Sequence, residues 1–353
     1  MLKTLQNAFK VKDVRHRIFY VLMMLVVIRI GSQLPVPGVD GSYFKTWFES
    51  QTGDAFNFLD AFTGGSFSQM SIFALSITPY ITSSIIIQLL TIAIPKLEEM
   101  QRDGEDGRKK LGAITRYVTI GLSLFESIAM AIGFGNKGLI PDNSFVKMVV
   151  VVVALTAGSA FLMWVGEQIN EKGVGNGISI VLLINIVSRI PSDMTTLYES
   201  FMKGKIIAKA LLSGVIIAAI IVGVVILVII LNGAERRIPV QYSKKMQGRK
   251  MMGGQSSHIP LKVNTAGVIP VIFASSIMSF PSVIASFLGK TGGTGIGGKI
   301  LAGMNSNNWF DLDHPWYSIG LVAYIIMVIF FAYFYTSITF NPLEVADNMK
   351  KQG

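Results

Sequence analysis

Two long apolar runs constrain this chain more than any other feature of its sequence. One run covers Val149–Val165 and the other covers Ile206–Leu231. A helix needs about 20 apolar residues to cross the hydrocarbon of a bilayer, and these runs approach or exceed that length. Only 15% of the residues are charged, whereas typical soluble domains carry about 25%. The sequence therefore predicts an all-α polytopic membrane protein.

Eight apolar segments are predicted to be the spans, and the basic residues predict their orientation. Loops rich in Lys and Arg stay in the cytoplasm. The loop before the first span and those after every second span hold 20 Lys and Arg, whereas the alternate loops hold seven. Both termini are therefore predicted to be cytoplasmic, and this bias accounts for the net charge of +10 without a nucleic-acid partner. The predicted spans are 18–34, 57–93, 112–134, 146–165, 178–190, 210–231, 265–288 and 316–338.

Some of these spans are irregular. The second is interrupted by Gly64, Gly65 and Pro79, and it carries several hydroxyl side chains. The fifth, 178–190, is predicted to be a helix of only about 13 residues, or roughly 20 Å. Broken or short helices are tolerated in a membrane only where protein or a water-filled cavity surrounds them. The pattern therefore predicts a transport pathway.

Catalytic, metal and cofactor sites find no support in the sequence. There is no cysteine, and the three histidines are far apart and lack metal-ligand spacing. The motif "GTGIGG" (Gly293–Gly298) fits a dinucleotide loop in spacing, but no strand precedes it. The protein is therefore predicted not to be an enzyme and to bind neither a cofactor nor a metal.

Two ionisable residues well inside predicted spans need a physical explanation, Arg29 in the first span and Glu126 in the third. Charges inside a membrane are unfavourable unless they are paired or hydrated. Their similar depths allow an ion pair. The favoured alternative is that Arg29 reaches the interface or bonds backbone carbonyls while Glu126 faces water.

Five blocks of sequence resemble the SecY family, the channel subunits of the bacterial protein-conducting translocon. They occur in the family's order from about residue 25 to the end of the chain. The stretches "GEQINEKGVGNGISI" and "HIPLKVNTAGVIP", in the third and fourth blocks, are long and unusual in composition. The blocks are "RIGSQLPVPG", "SITPYITSSIIIQLL", "FLMWVGEQINEKGVGNGISI", "QSSHIPLKVNTAGVIPVIFASSI" and "FNPLEVADNMKKQG".

The resemblance implies a SecY-like helical bundle of two inverted five-span halves. Residues 1–195 would form the N-terminal half, with spans 1–5 and a short plug helix at about 56–71. Residues 196–353 would form an incomplete C-terminal half, with spans 6–8 and the basic cytoplasmic loop 232–264. Because the family has ten spans, the chain is expected to be a piece of a longer protein; a shorter working protein is the alternative.

The resemblance also implies four groups of functional residues. The pore constriction would be formed by Ile77, Ile81, Leu182 and Ile272. The plug would contain Phe62, Gly64, Gly65 and Phe67. The lateral gate would be lined by Thr82, Ser83, Ser276 and Phe280. Docking of the motor and the ribosome would involve Arg236, Arg237, Lys244, Lys245, Arg249 and Lys250.

The implied function is to conduct unfolded secretory proteins across the bacterial cytoplasmic membrane and to release membrane spans sideways into lipid. Implied partners are the SecE and SecG subunits, the SecA motor, the ribosome with its RNA, signal sequences and nascent chains, and membrane lipid. The alternatives are a secondary transporter, which also uses broken helices, and an insertase-type scaffold. A transporter needs charged residues near the midplane, and this chain offers few.

Overall fold

The computed structural model describes most of the chain as α-helix with one small β-hairpin region. The described residues are 9–50, 60, 63–135, 138, 144–204, 207–240, 246–247, 250–251, 257–287, 296–304, 308–309, 315–339 and 346. The helices are α1 (Lys12–Gly31), α2 (Gly41–Ser50), α3 (Thr78–Ala93), α4 (Pro95–Arg102), α5 (Glu105–Gly135), α6 (Phe145–Lys172), α7 (Gly177–Phe201), α8 (Ile207–Gly233), α9 (Ile269–Phe287), α10 (Ile296–Met304) and α11 (Ser318–Thr339). The strands are β1 (Glu235–Val240), β2 (Met246–Gln247), β3 (Lys250–Met251) and β4 (Ser257–Lys262), and a 3-10 turn covers Pro315–Tyr317.

Each of the eight predicted spans overlaps one of these helices. Among the described residues, five helices are long and apolar enough to cross a membrane, or six if α3 and α4 together form one bent span. The five are α5, α6, α7, α8 and the region of α11. The helical membrane architecture is therefore confirmed, while the count of eight spans and the cytoplasmic termini stay predictions.

Pro79 begins a helix instead of breaking one. It lies in the first turn of α3, where its missing N–H and its fixed φ fit a helix start. The bend follows α3: Ile94 is extended (φ −114°, ψ 110°), as expected before Pro95, and α4 departs at 103° to α3. The prediction that Pro79 itself interrupts the span was therefore wrong, because the turns that interrupt it end before α3 and the next bend follows α3 at Ile94.

The fifth span is longer than predicted. α7 has 25 residues, Gly177–Phe201, and includes Pro191. At about 1.5 Å per residue this helix is roughly 37 Å long, enough to cross a bilayer. The prediction of a short helix was wrong because the apolar run ends at Ile190 while the polar residues after it remain helical.

Helix α5 packs against α6 and carries a line of small buried hydroxyl residues. These side chains are buried, and their hydroxyls donate hydrogen bonds to backbone carbonyls of the same helix. Ser127, for example, donates to the Ser123 carbonyl at 2.6 Å. Thr156 of α6 donates to the Ser127 hydroxyl at 3.1 Å. Small side chains let two helices approach closely, and the internal hydrogen bonds satisfy the polar groups without water. The line consists of Thr115, Thr119, Ser123 and Ser127.

The chain divides into two compact units. The first contains Met1–Asp193 and Met278–Leu321, and the second contains Met194–Ile277 and Val322–Gly353. The first unit holds two apolar clusters. The aromatic cluster is built around Phe44, Phe67 and Phe134, and the central cluster is built around Ile28, Ile77, Leu162, Ile169 and Val181.

The second unit contains α8, the strands and parts of α7, α9 and α11. The apolar window of α8 is wholly exposed, as expected for a helix surrounded by lipid or by other chains. Phe273 of α9 packs edge-on against Phe331 of α11, with ring centroids 5.6 Å apart. The hydroxyls of Thr265, just before α9, and Thr336, in the last turn of α11, share a hydrogen bond of 3.2 Å.

The basic loop 232–264 contains β-structure that the sequence analysis did not predict. β1 and β4 pair antiparallel, with Glu235 opposite Lys262 and Val240 opposite Ser257. The segments "ERRIPV" and "SHIPLK" each carry branched apolar residues at strand spacing, which is the signal that could have identified them. Of the basic residues of this loop that the structure describes, Arg236, Arg237 and Lys262 therefore lie on a defined hairpin.

Candidate functional site

The residues before α3 form a succession of tight turns. We call residues 63–77, together with Asp60, the turn segment. Gly64 and Gly65 have φ of +67° and +84°, values that glycine adopts without a steric penalty. The Thr63 hydroxyl caps the first turn by accepting the Phe67 N–H at 3.2 Å. Among the described residues of the predicted plug helix, 64–70 are turns and not helix, so that part of the prediction was wrong.

The turn segment is pinned to the chain that follows α1. The backbone of Pro35 forms an antiparallel bridge with Ser71. On either side of this bridge, the Val36 N–H donates to the Met70 carbonyl at 3.0 Å and the Ile72 N–H donates to the Leu34 carbonyl at 2.9 Å. These bonds satisfy backbone groups that the turns would otherwise leave unpaired.

The turn segment also lies against α7. A β-carbon on Gly64 would lie 2.7 Å from the Asn185 carbonyl oxygen, closer than real contacts allow. The Asn185 amide donates to the Ser76 hydroxyl at 3.1 Å, and both side chains are buried. The Asp60 carboxylate pairs with Arg189 and accepts the Ser68 N–H at 2.8 Å. One face of α7 thus holds both ends of the turn segment.

Arg29 bonds a backbone carbonyl, as the favoured interpretation predicted. Its guanidinium donates to the Gly64 carbonyl at 3.4 Å. In the part of the chain that the structure describes, Arg29 and Glu126 form no ion pair. Arg29 therefore adds a third attachment between the turn segment and the surrounding helices.

Three of the four predicted constriction residues belong to one apolar group. Ile77 is fully buried in the central cluster, and Ile81 and Leu182 pack against that cluster while remaining partly exposed. The Ile81 N–H bonds the Ile77 carbonyl at 3.1 Å, so one helical turn separates the two side chains. Ile272 lies on α9 in the second unit and is half-buried. Their role as a constriction stays a prediction.

The predicted plug residues are placed in part. Phe67 is buried in the aromatic cluster, 6.3 Å from both Phe44 and Phe134 between ring centroids. Gly64 and Gly65 occupy the turns described above, and Phe62 lies outside the described residues. Phe67 therefore anchors the turn segment by apolar contact.

The predicted gate residues lie on α3 and α9. The hydroxyls of Thr82 and Ser83 donate to carbonyls one turn earlier on α3, at 3.1 and 2.7 Å. Ser276 is half-buried on α9, and Phe280 lies on the same helix, although its side chain is outside the described residues. Since these hydroxyls are satisfied within α3, they form no tie to a neighbouring helix. Their role in gating stays a prediction.

The predicted docking residues lie on or near the hairpin. Arg236 and Arg237 are exposed on β1, on opposite faces of the strand because neighbouring side chains alternate. Lys250 lies on β3, and the remaining three, Lys244, Lys245 and Arg249, lie outside the described residues. No group of three or more His, Asp or Glu side chains able to hold a metal occurs among the described residues.

Comparison with known proteins decides the family. The sequence profile of the SecY family matches residues 71–353. The protein translocase subunit SecY of Halalkalibacterium halodurans is 43% identical over 358 residues, covering 100% of this chain and 80% of that protein. This chain belongs to the SecY family. The resemblance seen in the five sequence blocks is thereby confirmed.

Solved channels share the fold of this SecY-family chain. Sec61 in the canine ribosome–channel complex from the endoplasmic reticulum matches with a TM-score of 0.64 and 18% identity, covering 94% of this chain and 75% of that one. A SecY protein whose plug domain stabilises the closed state of the translocation channel and maintains a membrane seal matches with a TM-score of 0.57 and 19% identity. It covers 89% of this chain and 70% of that one. The fold is therefore that of a multi-pass protein-conducting channel subunit.

Proposed function

We propose that this chain is the pore-forming subunit of a bacterial Sec translocon in the cytoplasmic membrane. It would conduct unfolded secretory proteins across and release membrane spans sideways into lipid. The observation that carries the proposal is 43% identity to a protein translocase subunit over the whole of this chain. The alternative, a secondary transporter, has no such support from these relatives. The proposal includes no chemical step in this subunit.

The proposed barrier is a narrow apolar neck. Branched aliphatic side chains exclude ions because a constriction of this kind loses its water, and they can still yield to a passing chain. The shared apolar surroundings of Ile77, Ile81 and Leu182 support this role. Ile272, carried over by the family motif, would complete the described part of the ring.

The part of the turn segment that lies within 56–71, namely Asp60 and residues 63–71, is proposed to belong to the plug. Its support is the solved SecY protein whose plug domain stabilises the closed state. The burial of Phe67 and the close approach of Gly64 to α7 fit a segment seated in a closed channel. The two halves, 1–195 and 196–353, would surround this pore, with both termini cytoplasmic.

The lateral gate is proposed between α3 and α9, which carry Thr82, Ser83, Ser276 and Phe280. A seam of small hydroxyl residues buries less apolar surface than one of leucines, so its separation costs less free energy. The hydroxyls of Thr82 and Ser83 already bond their own helix, so separation of the helices would leave them satisfied.

The basic hairpin is proposed to dock partners on the cytoplasmic side. Arg236 and Arg237 are exposed there and suit contacts with a polyanion such as ribosomal RNA. The similarity to Sec61 in a ribosome–channel complex supports ribosome binding. SecA would supply the energy for export, SecE and SecG would complete the channel, and signal sequences, nascent chains and lipid would contact the gate.

Reconstitution tests the proposed function. The complete channel, assembled with its SecE and SecG partners in lipid vesicles, should protect a labelled secretory precursor from external protease when SecA and ATP are added. Vesicles without ATP are the control. Equal protection with and without ATP, or none at all, would contradict the proposal.

A further inference from the structure

An ion pair connects the turn segment to α7 across a long stretch of sequence. The Asp60 carboxylate accepts from the Arg189 guanidinium, although 129 residues separate the two. We propose that this pair is a latch that holds the plug in its closed position, and that Arg189 keeps only its bond to Asp193 when the plug leaves. The inference rests on the proposed function, because that function assigns Asp60 and residues 63–71 to the plug.

The two partners have different surroundings. The Asp60 side chain is 5% exposed and that of Arg189 is 23% exposed. Arg189 also donates to Asp193, one turn further along α7, at 3.3 Å, and the Asp193 side chain is 54% exposed. Asp60 has no second ion-pair partner among the described residues; its other bond is from the Ser68 N–H. Arg189 therefore has a partner in either position of the plug, whereas Asp60 has one only when the plug is closed or when water reaches it.

Because only Asp60 loses its ion-pair partner when the plug moves, the pair favours two discrete states, a closed plug and a released plug. A buried ion pair adds little net stability compared with apolar packing, but loss of one partner is strongly unfavourable because it leaves an uncompensated buried charge. When the plug leaves, Asp60 gains water and Arg189 keeps Asp193, so neither charge is stranded. Loosening without release would strand Asp60, and intermediate positions are therefore disfavoured.

The backbone of the turn segment fits a part that moves. Met70 and Ser76 have φ of +46° and +52°, a left-handed conformation that side chains other than glycine rarely adopt, and both residues are buried. Such strain persists only where surrounding contacts impose it, and it clusters at switch regions. Here the Met70 carbonyl accepts the Val36 N–H beside the bridge at Ser71, and the Ser76 hydroxyl accepts from the Asn185 amide.

Three substitutions in the complete channel, reconstituted in lipid vesicles, test the latch. The measured quantity is the iodide flux through the resting channel, without motor or precursor. Arg189→Gln strands the Asp60 carboxylate and should raise the flux most, by about tenfold or more. Asp60→Asn keeps an acceptor for the Ser68 N–H and leaves Arg189 paired with Asp193, so its rise should be smaller. Asp193→Asn removes the partner of the released Arg189 and should lower the flux.

Two controls separate the latch from general damage. Lys203→Gln breaks an exposed pair with Glu199 and should leave the flux unchanged. The double variant Asp60→Asn/Arg189→Gln should leak less than Arg189→Gln alone, because no charge is stranded; a channel that merely misfolds would leak at least as much. A single Gln69→Cys, in a chain without cysteine, should react faster with an impermeant maleimide in the leaking variants.

The outcomes also separate this inference from the proposed function. If unaltered vesicles translocate precursor while Asp60→Asn and Arg189→Gln change neither flux nor labelling, the latch is wrong and the channel assignment stands. If Asp193→Asn raises the flux as Arg189→Gln does, the proposal that Asp193 stabilises Arg189 after the plug leaves is wrong. Failure of the unaltered channel to translocate would overturn the function itself.

Discussion

Gly64 and Gly65 provide a matched pair for measuring how closely the turn segment must approach α7. Both residues have positive φ, so alanine at either position carries the same kind of backbone penalty, about 1–2 kcal/mol. A β-carbon on Gly65 would meet nothing within 4 Å. On Gly64 it would lie 2.7 Å from the Asn185 carbonyl oxygen and 2.9 Å from the Asn185 Cα. Both of these neighbours are backbone atoms of a helix, which cannot rotate aside.

The additional cost of Gly64→Ala follows from this contact. An ordinary contact begins at 3.4 Å, so the segment must shift by about 0.7 Å to reach it. Overpacking of this kind destabilises a packed arrangement by about 1–3 kcal/mol. A difference of that size changes an equilibrium by roughly 5–150-fold. We therefore expect the closed state to be weakened by that factor more in Gly64→Ala than in Gly65→Ala.

Resting iodide flux through the reconstituted channel measures the difference. Gly64→Ala should leak clearly more than Gly65→Ala, and Gly65→Ala should leak only modestly more than the unaltered channel. Equal flux from the two variants would refute the reasoning, because it would mean that the approach to α7 does not control closure. Precursor translocation by both variants in the same vesicles checks that each channel is assembled.

Three further expectations concern the barrier, the gate and the hairpin. Ile81→Asn should raise resting ion flux because a polar side chain retains water in an apolar neck; flux at the background level would remove Ile81 from the barrier. A disulfide between Thr82→Cys and Phe280→Cys should block precursor export and release it on reduction, since the chain has no other cysteine; full export with the bridge closed would exclude these helices as the gate. Arg236→Ala with Arg237→Ala should weaken ribosome binding and reduce its logarithmic salt dependence by about two, as measured by co-sedimentation at several salt concentrations; an unchanged salt slope would show that these arginines do not contact RNA.

Much of the architecture could be predicted because it depends on local composition. A run such as Ile206–Leu231 must cross the membrane or be covered, whatever surrounds it, because its apolar surface cannot face water. The family could be predicted because blocks such as "GEQINEKGVGNGISI" are long continuous sequences that resemble the family. The hydrogen bond from Arg29 to a backbone carbonyl was also within reach, because an intramembrane cation needs an acceptor.

The ends and bends of helices could be predicted less well. Hydropathy marks where a helix enters an apolar environment, not where its backbone hydrogen bonds end. α7 therefore continues past Pro191 to Phe201 through polar residues. Pro79 was interpreted as a break because its position in the first turn of α3 depends on where the preceding turns stop.

The sequence by itself determined that this chain is a helical membrane protein of the SecY family, because span length, charge bias and family motifs are properties of continuous segments. Only the tertiary structure decided what holds the turn segment in place. Asp60 lies in the interrupted second span that the sequence predicts, and nothing near it in sequence indicates that its partner is Arg189. The same is true of Gly64, whose need to be glycine comes from the Asn185 backbone. Such pairings depend on which surfaces the fold brings together, and residues more than a hundred positions apart leave no local pattern that records them.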